Sequence, residues 1–284
     1  MDEHSIEPFI TSRNNRPVAD LCGLSPNEMH GLIYDPFGKG TVVELRDEIE
    51  LAALDQMPIL KLTIAYLNIL QRDKFVKLTA SGALPRKIVK ELYDLRHWPV
   101  EFIDSGVINI RVEENFMVGA ITRRVCEMAG LVKKADNKLS LTKKGLGLLQ
   151  NNNQHQIFAL FFSAFVKKLN WGVNDRYTEA PVGQIGTPFV LYLLGRYGEQ
   201  ERPASFYAEK YYKAIPVFSV AFQDRPYSPK EKQMINCFNH RVISRFTDLF
   251  GFTTSRPDGQ LLDLKPDLVK TAPLLSSVFK IEKD

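Results

Sequence analysis

Residues 130–149 read GLVKKADNKLSLTKKGLGLL, and this stretch decides the fold. An apolar pair, Leu131 and Val132, is followed by polar, lysine-rich residues. Leu139-Ser140-Leu141-Thr142 then alternates, the two-residue period of a half-buried strand. Lys143-Lys144-Gly145 opens another apolar helical run. The spacing predicts a β-hairpin, or wing, set between two helices. Gly130 ends the helix before it, since glycine takes the left-handed conformation of a C′ position at little cost.

Upstream, Pro58 opens a helix whose Leu60, Ile64, Leu67 and Leu70 recur every three or four residues. Phe75 to Thr79 alternates and reads as a short strand, turned by Ser81-Gly82. Pro85 begins a helix with Ile88, Val89, Leu92 and Leu95 facing a core and Arg86, Lys87 and Lys90 off that stripe. Residues 96–112 are an irregular connection, with a strand expected at Val107 to Ile110. The next helix, Glu113 to Ala129, has the stripe Met117, Ile121, Val125 and Met128. Arg123 lies off that stripe and Arg124 at its edge. Helix, strand, helix, helix, strand, wing, strand is the winged-helix order.

Downstream, Asn151-Asn152-Asn153 reads as a polar hinge and a domain boundary. The helix after it, Gln154 to Leu169, carries Phe158, Phe161, Phe162 and Phe165 and is apolar nearly all round, which predicts burial at the centre of the second half. Helices follow at Phe189 to Tyr197 and Ala204 to Ala214. Ser228-Pro229-Lys230-Glu231 repeats the capping box of Ser25-Pro26-Asn27-Glu28. Its helix runs to Phe250, with Ile235, Phe238, Val242, Phe246 and Leu249 on one stripe. Gly251 to Thr254, a turn at 255–259 and Leu261 to Leu264 then predict a second wing, with a last helix from Lys265-Pro266. The expected fold class is mainly α with short β-hairpins, in tandem winged-helix-like units. The expected organisation is an N-terminal arm and helix (1–57), a winged-helix-like domain (58–150), and a helical domain ending in the second unit (151–284). Leu78-Thr79-x-x-Gly82 and Leu141-Thr142-x-x-Gly145 share one pattern; either the first closes a smaller wing or the match is chance.

The run Leu78-Thr79-Ala80-Ser81-Gly82-Ala83-Leu84-Pro85, with Val89 and Leu92 beyond it, resembles the LTxxGxLPxxxVxxL signature of a group of uncharacterised bacterial proteins. There it is followed by a GLV…LxLTxxG segment, as here at Gly130 to Gly145. The resemblance implies a bacterial helical protein with winged-helix character, and it carries over no catalytic residue.

With 44% hydrophobic and 25% charged residues the chain has the composition of a globular protein with a core. The N-terminus lacks the basic and apolar regions of a secretory leader. The most apolar stretch, Ile157 to Leu169, is shorter than the roughly 20 residues of a membrane span. Cys22, Cys126 and Cys237 are too scattered for a disulfide framework or a CxxC metal site, which points to a reducing cytoplasm. His4, His30, His97, His155 and His240 form no HxH or HExxH, and Gly38-Lys39-Gly40-Thr41 lacks the first glycine of a phosphate loop. No catalytic residue, cofactor or metal ligand is predicted, and no enzymatic activity is expected.

Charge distribution says more. The net charge is +4, yet 120–150 holds seven basic residues against two acids and 74–90 holds five with no acid. Basic clusters of this kind suit phosphate backbones. The expected partner is double-stranded DNA, with the 113–129 helix approaching a groove. Arg123 would contact a base or phosphate with Arg124 beside it. Lys133, Lys134 and Lys138 would grip phosphates from the wing, with Lys143 and Lys144 behind. The alternative is a non-catalytic interaction module that binds another protein or a second copy of itself. Phe206, Tyr207, Tyr211 and Tyr212 read as packing rather than as a stacking platform.

Overall fold

The computed structural model describes residues 12–173, 175–256 and 268–282. The backbone packs as two units, one continuous (Glu48–Leu169) and one split (Met1–Asp47 with Asn170–Asp284). Both are mainly α with short antiparallel sheets, the expected class.

The split unit begins with α1 (Pro26–Tyr34). Its capping box forms as the sequence predicts: Ser25 Oγ accepts from the Glu28 amide at 3.3 Å, and the Glu28 carboxylate accepts from the Ser25 amide at 2.7 Å. β1 (Val43–Leu45) follows.

The continuous unit is built on α2 (Pro58–Asp73), which buries Leu60, Leu67 and Leu70 but also Ile59, Leu62 and Tyr66, so it is enclosed on most sides. β2 (Val76–Lys77) leads through a turn to α3 (Arg86–Asp94). Ile88, Val89 and Leu92 are buried as expected, whereas Leu95 caps the end of α3 at 46% exposure. No strand forms at 107–110; the Ile108 amide bonds back to the Phe102 carbonyl, and no sheet edge pairs with the segment. α4 (Met117–Met128) follows a single 3₁₀ turn, and the hairpin β3 (Val132–Ala135) and β4 (Lys138–Leu141) comes next. The strand order is β2-β4-β3. α5 (Lys143–Gln150) and α6 (Gln154–Lys167) complete the unit.

The chain therefore divides at Leu169, not at the expected boundary after residue 150. Asn153 is a helix cap rather than a hinge, its side chain accepting from the Gln156 amide at 3.0 Å. Beyond it α6 folds back on α4 and α5. Its phenylalanines supply their core, as burial of four large aromatic side chains demands.

In the split unit, α7 (Thr187–Tyr197), β5 (Arg202–Pro203) and α8 (Ala204–Ala214) precede α9 (Lys230–Phe238). The second capping box is not made; Asp224 Oδ1 takes the Lys230 amide instead, at 2.8 Å. α9 widens into a π-helix over Asn239–Thr247, and the four-residue spacing of buried Phe238, Val242 and Phe246 suits that wider turn. β6 (Thr253–Arg256) pairs with β7 (Leu268–Thr271), and the order β5-β7-β6 repeats that of the continuous unit. The expected strand at Leu261–Leu264, with Asp258 and Asp263, lies outside the described residues. The expected start of the last helix at Lys265-Pro266 also lies outside the described residues; residues 268–271 form β7, and the last described helix is α10 (Leu274–Val278). β8 (Phe279–Ile281) then pairs antiparallel with β1.

Both hairpins start from the same C-terminal helix motif. The Gly130 amide bonds to the Glu127 carbonyl and Leu131 to Cys126; Gly251 bonds to Asp248 and Phe252 to Thr247. Both glycines sit at positive φ, +71° and +74°. This is the paired bonding of a Schellman cap, which turns each helix directly into its strand.

Candidate nucleic-acid interface

The hairpin turn is Asp136-Asn137, with φ of 49° and 57°. Two left-handed residues make a turn whose twist matches that of the strands. The Asn137 carbonyl accepts from the Leu78 amide at 2.8 Å, and its side-chain amide donates to the carbonyls of Leu78 and Thr79. The hairpin tip is thereby tied to the chain leaving β2.

Residues directly opposite in adjacent strands share a face. Val76 faces Leu139, and Val132 faces Leu141, which sets the inner, core-side face. Lys77 faces Lys138, Ala135 also faces Lys138, and Lys133 faces Ser140, which sets the outer face. Phe75, two residues before Lys77, belongs with them: the Lys138 ammonium lies 4.7 Å from its ring centroid. Phe75, Lys77, Lys133 and Lys138 are all exposed. Lys77 of the first basic stretch thus meets Lys133 and Lys138 of the second on one sheet surface. The hairpin's acid, Asp136, sits in the turn. Lys134 emerges on the other face and reaches the Gly82 turn, with Nζ 3.5 Å from where a Cβ on Gly82 would lie.

Of the seven basic residues expected at the interface, the structure removes one and disperses others. Arg123 is buried at 9% exposure. Its Nε donates to Glu113 at 2.6 Å and its Nη1 to Glu127 at 2.7 Å. Glu113 also accepts from the Leu84 amide at 2.9 Å, so this arginine locks the turn before α3 to the start of α4. Burial opposes its charge, but the two carboxylates hold the guanidinium protonated above its usual range. It is a structural ion pair and cannot reach a base. Arg124 is half-buried on α4. Lys143 and Lys144 are exposed at the first two positions of α5, where the helix dipole disfavours cations. They lie at the base of the hairpin, five to six residues from Lys138, or about 16–20 Å along an extended chain.

α4 itself does not present a groove-reading face. Val118 through Arg123, with Val125 and Cys126, are buried. α2 and α6 pack against it. The approach of this helix to a groove, expected from its position in the order, is closed off because α6 occupies that side.

Sequence reading left Phe75 and Lys77 outside the candidate site, although it noted the charge of their stretch. The signal was the repeated LTxxG. In the structure its first copy is not a separate wing: Leu78-Thr79 follows β2 beside the hairpin, and Gly82, at φ +77°, makes the turn. In the second copy Thr142 caps α5, accepting from the Gly145 amide at 2.9 Å, and a Cβ on Gly145 would sit 2.2 Å from the Leu131 carbonyl oxygen.

The four tyrosine-helix aromatics are packing, as expected. Tyr207 and Tyr211 are fully buried, and Tyr211 accepts from the Gly183 amide at 2.8 Å while donating to the Ile185 carbonyl at 2.7 Å. Among the described residues, no group of three or more histidines, cysteines and acids is placed to hold a metal ion, and no helix is long and apolar enough to cross a membrane. No curated protein and no solved structure matches the chain. Residues 55–154, which span α2 to α5 and the three-stranded sheet of the continuous unit but not α6, match the family model described as the Y4jL N-terminal domain.

Proposed function

We propose that the continuous unit binds nucleic acid, without catalysis, through the outer face of its winged sheet. One observation carries this reading: Lys77 stands directly across from Lys138, on a face that also holds Lys133. Like charges opposite one another destabilise a sheet, by roughly 0.2–1 kcal/mol per pair. Among the described residues none of the three is held in an ion pair. A surface that keeps such a repulsion unneutralised is suited to a polyanion, which would relieve it. The burial of Arg123 and α4 moves the reading away from base recognition toward the phosphate backbone, which carries affinity but not sequence. The test is fluorescence anisotropy of labelled oligonucleotides across a salt series. Three phosphate contacts give a log–log slope of about −2.1 to −2.7. The K77E/K133E/K138E variant should lose binding and the slope together; unchanged binding by that variant overturns the proposal.

A second reading, a module that binds another protein or its own copy, is favoured by a different observation. Leu95, Phe102, Val107, Ile108 and Val112 are all exposed in one stretch, Val107 at 70%. Exposed apolar side chains gathered in one segment suit an association site. Light scattering of the purified chain and of V107S/I108S tests it: a chain that is monomeric at all concentrations, with and without the substitutions, removes self-association.

A further inference from the structure

We infer that the ligand of the winged sheet carries an unpaired base, and that Phe75 is the surface on which that base stacks. The inference rests on the nucleic-acid reading above and specifies the class of ligand.

Three observations lead to it. Phe75 is 49% exposed although the sheet has an inner face to bury apolar residues on, where Val76, Leu78 and Leu139 are all within 5% exposure. The fold does not need an aromatic ring at this position. The ring is set among cations: Lys74 precedes it, Lys77 lies two residues on, and the Lys138 ammonium stands 4.7 Å from its centroid. An aromatic ring in contact with a lysine, beside a strand face that carries two more, combines the two elements of single-strand binding, a π-surface for a base and charge for the phosphates either side of it. Lys138 is poised to exchange its contact with the ring for a contact with phosphate when a base arrives.

The third observation excludes the usual duplex mode. A helix entering the major groove needs exposed side chains along its first turns, and on α4 residues 118–123 are buried. The unit offers a narrow sheet with one projecting ring. In a duplex every base already stacks on its neighbours, so such a ring has nothing to stack on except a frayed or flipped base. A flexible single strand can lay a base on Phe75 and phosphates near Lys77, Lys133 and Lys138 at once. The chemistry is common to single-stranded DNA and RNA, since the ring reads a π-face and not a sugar.

The experiment uses the full chain and three labelled probes of one sequence, about 12 nucleotides long, within the span of known single-strand sites: single-stranded DNA, single-stranded RNA and blunt duplex DNA. The wild-type chain should bind a single strand more tightly than the duplex; comparison of the two single strands identifies the source. F75L should weaken single-strand binding about tenfold, the loss of one stacked base, leave the salt slope unchanged and affect the duplex little, and F75W should restore affinity. Circular dichroism of F75L checks that the exposed substitution leaves the fold intact. Equal or tighter duplex binding, or an F75L effect that is absent or the same on all probes, overturns this inference and leaves the proposed function standing. If no probe binds even at low salt, both fall.

Discussion

The two units share an element order and a strand order, and they spend their cations differently. In the split unit Arg256 on β6 pairs with Glu201 at 2.6 Å, and Arg202 on β5 stacks over Phe206 at 4.8 Å, as does Lys210 at 4.7 Å. The β5–β7 pairing sets Arg202 opposite Val269 and Pro203 opposite Leu268, so no charge faces another there. In the continuous unit the equivalent pairing sets lysine against lysine. Two hairpins of similar backbone are therefore not two copies of one interface. Among the described residues the first holds Lys77, Lys133 and Lys138 in no ion pair, whereas the second pairs Arg256 with Glu201.

What the units do share is a buried arginine on the third helix that fastens the chain before it. Arg241 is fully buried; its Nε donates to Asp175 at 2.5 Å, and its other nitrogens donate to the carbonyls of Ala180 and Thr178 at 2.7 and 2.6 Å. Arg123 does the same for Glu113. The comparison breaks most severely if either clamp is cut. Arg241→Leu and Arg123→Leu each leave a carboxylate, Asp175 or Glu113, at 1% exposure without its partner. Each should cost about 3–5 kcal/mol, because an unpaired buried charge loses its compensation. Urea unfolding with amide exchange read separately in each unit measures it. A cost below about 1 kcal/mol for one of them would make that clamp no more than a surface pair.

A smaller effect separates the hairpin bases. The Thr142 amide bonds to the Leu131 carbonyl, and Ala272 bonds likewise to Phe252. Three residues on, the continuous unit has Gly145 and the split unit Leu275, buried at 1% exposure. Only the first needs the absence of a side chain. Gly145→Ala should destabilise by about 1–3 kcal/mol, the range for overpacking, with Gly130→Ala, a strain at positive φ only, near the lower end; thermal denaturation orders the two.

Lys77→Glu sharpens the comparison at about half a kcal/mol, by turning a repulsive cross-strand pair into an attractive one. The expected outcome is a chain slightly more stable and a salt slope shallower by about one contact. Stability and binding moving together in the same direction would contradict the assignment of that face.

The smallest effect is in pH, and its sign differs between the units. Burial, helped by the Lys61 charge, holds the His97 imidazolium below its ordinary value of 6.5. The unfolded chain then binds that proton more readily, so His97 stabilises the continuous unit above 6.5 and the contribution is lost as pH falls through the folded value. Burial raises Asp248 above its ordinary 3.8, against opposing hydrogen bonds from Ser255 and Thr253. Here the folded chain binds the proton more readily, so stability rises as pH falls through the raised value. His97→Asn and Asp248→Asn should flatten these two opposite slopes, read as exchange protection in each unit against pH.

The sequence made the elements legible where short-range rules act. The hairpin at 132–141, the capping box at Ser25, the helix at Ala204–Ala214 and the repeat of the order all follow from periodicity, caps and glycine. The fate of individual charges was not legible. Arg123 looks like a surface residue because it lies off the helix stripe, and only the fold brings Glu113 to it. The i,i+4 relation to Glu127 was the one local hint. Lys77 and Lys138 are sixty-one positions apart, and their opposition is a matter of strand register. The boundary at 151–153 failed for a similar reason: three asparagines read as a hinge, but the phenylalanines after them find their partners in the helices before them.

The pairing of β1 with β8 has a consequence for synthesis. β1 leaves the ribosome about 230 residues ahead of the strand that closes it, an interval of about 12–50 s at 5–20 residues per second. Every residue of the continuous unit is translated within that interval. The nascent chain thus carries β1 unpaired throughout translation of the continuous unit, and a ribosome that stalls short of Phe279 would leave β1 open to a neighbour.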